Sequence, residues 1–136
     1  MVWRRLAATN VITTFSCVLK IYLYSGCDTC RRALKYLRSN GVAHMEIPIR
    51  QQPPNEAELR RMLVAQGGEL RKLFNTAGQD YRALGLAAKM PTLSVDAALK
   101  LLAHNGNLVK RPFVLTPTDG WVGFDETEWR QRLGLA

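Results

Sequence analysis

An α/β domain is what this sequence predicts, and three observations carry the prediction. A nearly continuous apolar run at Val18 to Tyr24 gives way at once to apolar residues at helical spacing. Met45, Ile47 and Ile49 then alternate with His44, Glu46 and Pro48, and the chain closes on short strand-like pieces joined by turns. Two strands with a helix between them require a parallel, right-handed crossover, whereas strands joined by a tight turn are antiparallel.

The first strand, Val18 to Tyr24, reads as buried on both faces because its apolar run is unbroken. After Ser25 and Gly26, the residues Cys30, Ala33, Leu34 and Leu37 define a helix that starts at the cysteines and stops at Asn40-Gly41. His44 to Ile49 is the second strand, and Pro53-Pro54 breaks it. Asn55 with Glu58 is an N-terminal capping signature ahead of Leu59, Met62 and Leu63, and Gly67-Gly68 ends that helix. Short helical pieces follow around Leu70 to Phe74 and Tyr81 to Leu84, the second stopped by Gly85. Ser94 then caps a helix carrying Val95, Ala98, Leu99 and Leu102 that ends at Asn105-Gly106. Leu108-Val109 and Phe113 to Leu115 read as strand on either side of Arg111-Pro112. A turn at Pro117 to Gly120 leads into Trp121 to Phe124, and Asp125 with Glu128 caps a last helix holding Trp129 and Leu133.

With 136 residues, 47% of them apolar, the chain has room for one core and no second catalytic domain. Residues 1–17 are expected to be an extension outside the domain, either a floppy segment or an overlong gene start, and 18–136 the folded unit with a helical insert over about 55–105. No stretch approaches the ~20 apolar residues that span a bilayer. Nineteen basic against eleven acidic residues give a net charge of +8. That excess favours encounters with anions, but the cations stand in ones and twos, as on an ordinary solvated surface. The aromatic residues read as core or turn positions, so no direct nucleic-acid contact is expected.

Three cysteines are too few for a secreted disulfide framework, and Cys27 and Cys30 form a C-x-x-C directly after a strand, a redox pattern of a reducing, cytosolic compartment. A structural zinc site usually needs four ligands. Beyond this pair the chain offers only Cys17, His44 and His104, with no second paired motif. Cys27 falls at the strand–helix junction, where free N–H groups and the helix dipole present roughly half a positive charge. Such thiols commonly have a pKa lowered from ~8.5 to about 3.5–7.5, so Cys27 is the expected nucleophile, with Arg31 and Arg32 adding cationic field. Cys30, one turn on and facing inward, is the expected resolving thiol; the alternative reading makes it a small core residue. Thr29 could donate to the thiolate or cap the helix. Arg111, read on its own, is a surface arginine.

The order strand, C-x-x-C, helix, strand, helical insert, Arg-Pro and closing hairpin resembles the ArsC/Spx family of thioredoxin-like proteins (arsenate reductase-like and Spx/MgsR members). The resemblance runs from Leu19 to Leu133. Its specific stretches are Ser25-Gly26-Cys27-Asp28-Thr29-Cys30-Arg31, Leu73-Phe74-Asn75-Thr76-Ala77-Gly78, Met90-Pro91-Thr92-Leu93-Ser94, Lys110-Arg111-Pro112 and Val122-Gly123-Phe124. It implies a mixed four-stranded sheet, a helical subdomain between strands two and three, and a cis proline at Pro112. In the family's glutaredoxin-coupled arsenate reductases, one cysteine at the position of Cys27 works with three arginines. Only Arg111 matches; Asn75 stands where the second is expected, and Gly123 and Phe124 near the third. The resemblance thus implies a site of Cys27, Cys30 and Arg111, with Thr29, Arg31, Asn75 and Pro112 at the substrate.

The expectation from this reading is a thiol–disulfide redox protein without metal or organic cofactor, restored by glutathione, glutaredoxin or a thioredoxin-type partner. The alternatives are an Spx-like redox-sensing regulator that binds the C-terminal domain of the RNA polymerase α subunit, and a true arsenate reductase. A monomer is expected in each case.

Overall fold

A computed structural model of the protein describes residues 18–135. The expectations for residues 1–17 and for Cys17 therefore lie outside the described residues. In chain order the elements are β1 (Leu19–Leu23), α1 (Asp28–Ser39), β2 (His44–Pro48), α2 (Glu56–Ala65), α3 (Gln79–Ala83), α4 (Leu86–Lys89), α5 (Val95–His104), β3 (Phe113–Leu115), β4 (Gly120–Val122) and α6 (Glu126–Arg132). Short 3-10 turns lie at Leu70–Leu73, Met90–Thr92 and Gly106–Leu108.

The strands form one sheet in the order β2-β1-β3-β4. β1 pairs with β2 in parallel, Leu19 opposite His44 and Leu23 opposite Pro48, and with β3 antiparallel. β3 and β4 are an antiparallel hairpin. This is the mixed sheet with a helical insert that the sequence predicts, and its central strand carries the longest apolar run because both of its faces are covered.

Alternation along the strands divides the interior in two. Leu19, Ile21 and Leu23 of β1, Val114 and Trp121 point to one side and pack with Cys30, Ala33, Tyr36 and Leu37 of α1 and Trp129 of α6. Tyr22, Phe113 and Leu115 point to the other and pack with the insert, chiefly Leu59, Met62, Leu99 and Leu102. A polar tie joins the insert to the sheet: Glu58 accepts from Lys20 Nζ at 2.6 Å and from Tyr22 Oη at 2.7 Å. The same carboxylate completes the reciprocal cap with Asn55. Burial works to raise its pKa, but these donors outweigh it and hold Glu58 below the usual carboxylate range.

Three readings change. Leu108 lies in a 3-10 turn and Val109 makes a single bridge to Phe74 rather than a strand, because Leu73 to Asn75 reaches across and takes its ladder bonds. Phe124 has left the hairpin to pack on Tyr36 and Trp129, with ring centroids 5.7 and 5.0 Å away. Met45, read as inward-facing, is 48% exposed. β2 is an edge strand, and Met45 borders an open groove with Lys20 and Glu58. The helix α4 was not predicted: four residues are too few to show a period. Among the described residues, no helix is long and apolar enough to cross a membrane.

Candidate active site

Cys27 is the N-cap of α1. Its backbone is extended, and its sulfur accepts the Cys30 N–H at 3.4 Å, the part a Ser or Asp oxygen plays at most helix starts. The turn before it is set by a bond from Cys27 N–H to the Tyr24 carbonyl at 3.1 Å. Cys27 is half-buried and Cys30 is 1% exposed; both are free thiols. The helical turn from Cys27 to Cys30 therefore leads from an accessible sulfur into the core shared with Trp121 and Trp129.

Their environments push the two thiols apart. For Cys27, burial acts to raise the pKa, but the Cys30 N–H, the Cys30 thiol and the Arg111 guanidinium outweigh it and hold the group below its ordinary value. For Cys30, burial dominates and, with the neighbouring Cys27 sulfur and its charge, overrides a Tyr24 N–H and Arg111 to push the thiol from 9.0 to about 12. Ionisation is thus favoured at Cys27 and opposed at Cys30.

Arg111 comes to this site from the turn before β3, across a cis bond to Pro112, as the resemblance implies. Pro112 is buried, and its carbonyl accepts the Gly123 N–H at 2.8 Å, which locks the turn to the end of β4. The guanidinium is near enough to favour the thiolate. Its Nη1 is buried with no hydrogen-bond partner, a donor held in reserve.

The other expected site residues divide. Arg31 turns back to brace the loop, donating to the Ser25 carbonyl at 2.9 Å, and both it and Arg32 pair with Asp28 at 3.5 and 3.4 Å. Their side chains are more than half exposed, so the cationic field expected from them is partly offset by Asp28 and screened by water, and Arg111 is the cation that acts on Cys27. Thr29 is half-buried, and among the described residues no hydrogen bond joins it to either sulfur; the cap it might supply is the Cys27 sulfur itself. Asn75 is held by the fold. Its N–H donates to the Leu108 carbonyl at 2.7 Å and its amide to the Asn107 carbonyl at 3.4 Å.

Sequence reasoning missed Tyr24 and Arg50. The half-buried Tyr24 ring folds over Gly26, where a Cβ would stand 2.5 Å from the ring, so any larger residue there would push the ring aside. The guanidinium carbon of Arg50 lies 3.8 Å from the ring centroid, and that of Arg111 lies 5.2 Å from it. The one available signal was placement: Tyr24 and Arg50 each follow the C-terminal end of a parallel strand. Among the described residues, no three of His, Cys, Asp or Glu gather as a metal site would require.

A model of the ArsC family matches residues 22–132, which takes in every element but the start of β1. The chain belongs to the ArsC family. Among its ArsC-family relatives, the uncharacterised protein YusI of Bacillus subtilis is 41% identical over 83% of this chain and 96% of its own length. The global transcriptional regulator Spx 1 of Lactococcus lactis is 27% identical over 83% of this chain and 87% of its own length. The crystal structure of an ArsC-family-related protein from Bacteroides fragilis superposes with a TM-score of 0.80 at 35% identity, covering 85% of this chain and 98% of that one.

Proposed function

We propose that this ArsC-family protein is a thiol–disulfide oxidoreductase in which Cys27 attacks and Cys30 resolves. The observation that carries the reading is the opposite treatment of two sulfurs one helical turn apart: Cys27 accessible and held low, Cys30 enclosed and held high. The Cys27 thiolate attacks one sulfur of a disulfide, R–S–S–R′, forming Cys27–S–S–R and expelling R′S⁻ with the bonding electron pair. Cys27 then no longer bears a charge. Two of the influences that hold the Cys30 proton, the charge and the hydrogen bond of Cys27, vanish with it. Cys30 loses its proton more readily, attacks the Cys27 sulfur and expels RS⁻, leaving a Cys27–Cys30 disulfide. Two electrons from glutathione, glutaredoxin or a thioredoxin-type dithiol restore the pair.

Mass spectrometry after mild peroxide tests this. The expected product is an intramolecular Cys27–Cys30 disulfide that dithiothreitol reverses, and Cys30→Ser is expected to trap a mixed disulfide on Cys27. Overoxidation of both thiols with no disulfide would remove the reading.

The likeness to Spx 1 along most of its length supports a second reading, a redox-sensing regulator that uses the same disulfide to govern binding to the RNA polymerase α C-terminal domain. A pull-down with that domain in both redox states separates the two, and no binding in either state removes the second. Arsenate reduction ranks below both, because Asn75 is engaged with backbone and Phe124 with aromatic rings where two of three arginines are expected.

A further inference from the structure

We infer that Arg50, stacked on Tyr24, acts with Arg111 as a pair of cations that selects disulfides bearing an anionic group next to the attacked sulfur. This deepens the dithiol reading and rests on it. The substrate class is a carboxylate-bearing disulfide.

The backbone places Arg50 with little freedom. The Ile49 N–H donates to the Leu23 carbonyl at 2.9 Å, extending the β1–β2 ladder by one bond, and Ile49 is fully buried. The Ile49 carbonyl lies so close against Gly106 that no side chain fits there. Arg50 is the next residue, so it emerges at the C-terminal end of β2 beside Tyr24 at the C-terminal end of β1. Ligands of open α/β sheets gather at that end of the parallel strands.

Charge and desolvation make the arrangement selective. Arg50 is exposed, and among the described residues neither it nor Arg111 forms a salt bridge, in contrast to Arg31, Arg32, Arg38, Arg60 and Arg132, which all pair with carboxylates. Two unneutralised guanidinium groups share one ring, within about a Debye length of each other (~8–10 Å at physiological salt). The ring covers Gly26, the residue before Cys27. Stacking on Tyr24 restrains the long Arg50 side chain, so a carboxylate that docks there meets a positioned donor. Arg111 contributes the uncommitted Nη1. Arg50 takes no part in bond making: the Cys27 sulfur attacks, the disulfide breaks, and the leaving thiolate departs with its electron pair. Arg50 acts on where the anionic end of the substrate lies.

The test compares two disulfides of different charge, dithiobis(nitrobenzoate), whose rings each carry a carboxylate, and the uncharged dithiodipyridine. Stopped-flow second-order rates give a ratio, anionic over neutral, for each variant. Arg50→Gln is expected to lower that ratio about three- to tenfold and to remove most of its salt dependence. Arg50→Lys is expected to recover part of it. Lys100→Gln, an equal loss of net charge on the exposed face of α5, is expected to leave the ratio unchanged. An unchanged ratio in Arg50→Gln, or a parallel fall of both rates that Arg50→Lys does not relieve, would overturn the inference and assign Arg50 to packing alone. A wild-type protein inert to both reagents would instead sink the dithiol reading, and the inference with it.

Discussion

Two loops of this molecule carry motifs of equal prominence in the sequence, and they do opposite things with their polar groups. In the loop from Leu73 to Gly78, backbone and side-chain groups tie the loop to itself and to the turn before β3. Lys110 N–H bonds the Leu73 carbonyl at 2.8 Å, Asn75 N–H bonds the Leu108 carbonyl at 2.7 Å and Gly78 N–H bonds the Asn75 carbonyl at 3.0 Å. Asp80 collects the side-chain amides of Asn105 and Asn107 at 3.0 and 3.3 Å, and Arg82 donates to the Ala77 carbonyl at 2.8 Å. In the loop from Tyr24 to Cys30 the backbone is also fixed, but one sulfur stays accessible beside Arg111, and neither Arg111 nor Arg50 on the Tyr24 ring has a carboxylate partner among the described residues. Motif residues of the first loop hold the insert to the sheet. Those of the second are left with capacity to bind something else.

The largest effect that sharpens this contrast is expected from Cys27→Ser, which should reduce disulfide exchange to the reagent background in a stopped-flow assay while the fold persists. Arg111→Gln comes next. Removing an opposite charge near a thiolate raises its pKa by about 1–3 units, and each unit lowers the reactive fraction about tenfold at a pH below the pKa. Iodoacetamide labelling of Cys27 near pH 6 should therefore slow by about tenfold or more. If that rate does not change, Arg111 is a bystander and the loop is less specialised than its geometry suggests.

Labelling against pH separates the two thiols. Cys27 should alkylate below the ordinary thiol range, and Cys30 should resist until the pH nears about 12. The sign for stability follows from the same shift. A Cys30 pKa raised from 9.0 to about 12 adds stability that is fully present below 9.0 and is lost as pH climbs toward 12. Melting curves of Cys30→Ala should show a smaller alkaline decline, the remainder coming from the Tyr22 hydroxyl, which burial and Glu58 also hold above its ordinary 10.0. The smallest effect belongs to the first loop. Asn75→Ala should cost about 0.5–1.5 kcal/mol, a few degrees in melting temperature, with the Cys27 rate intact. A large loss of rate instead would move Asn75 into the site.

How much of this could be read from the sequence depended on the range of the signal. Helix caps at Asn55, Ser94 and Asp125 are local, made by one side chain and an N–H three residues on, and each forms as read. The buried central strand and the position of Cys27 at a helix start are nearly as local, since one run and one change of period announce them. What stayed hidden depends on residues far apart in the chain. Nothing near Leu108 reveals that Leu73 to Asn75 will occupy its ladder bonds. Nothing near Arg50 reveals that it will stack on a ring twenty-six positions earlier. The charge next to Cys27 was misjudged for a related reason: Arg31 and Arg32 are neighbours in sequence, but they are exposed and share Asp28, while Arg111 arrives from the far end of the fold.

Because the Cys27 sulfur is itself the cap of α1, the helix has a stake in the oxidation state of the site. A thiolate completes the first turn and meets the positive end of the helix; a disulfide sulfur brings no charge to either task. The dithiol form is thereby favoured over the oxidised form, which confines the disulfides the pair can reduce to those more oxidising than its own. A helix end that makes a good nucleophile thus also narrows what that nucleophile can reduce.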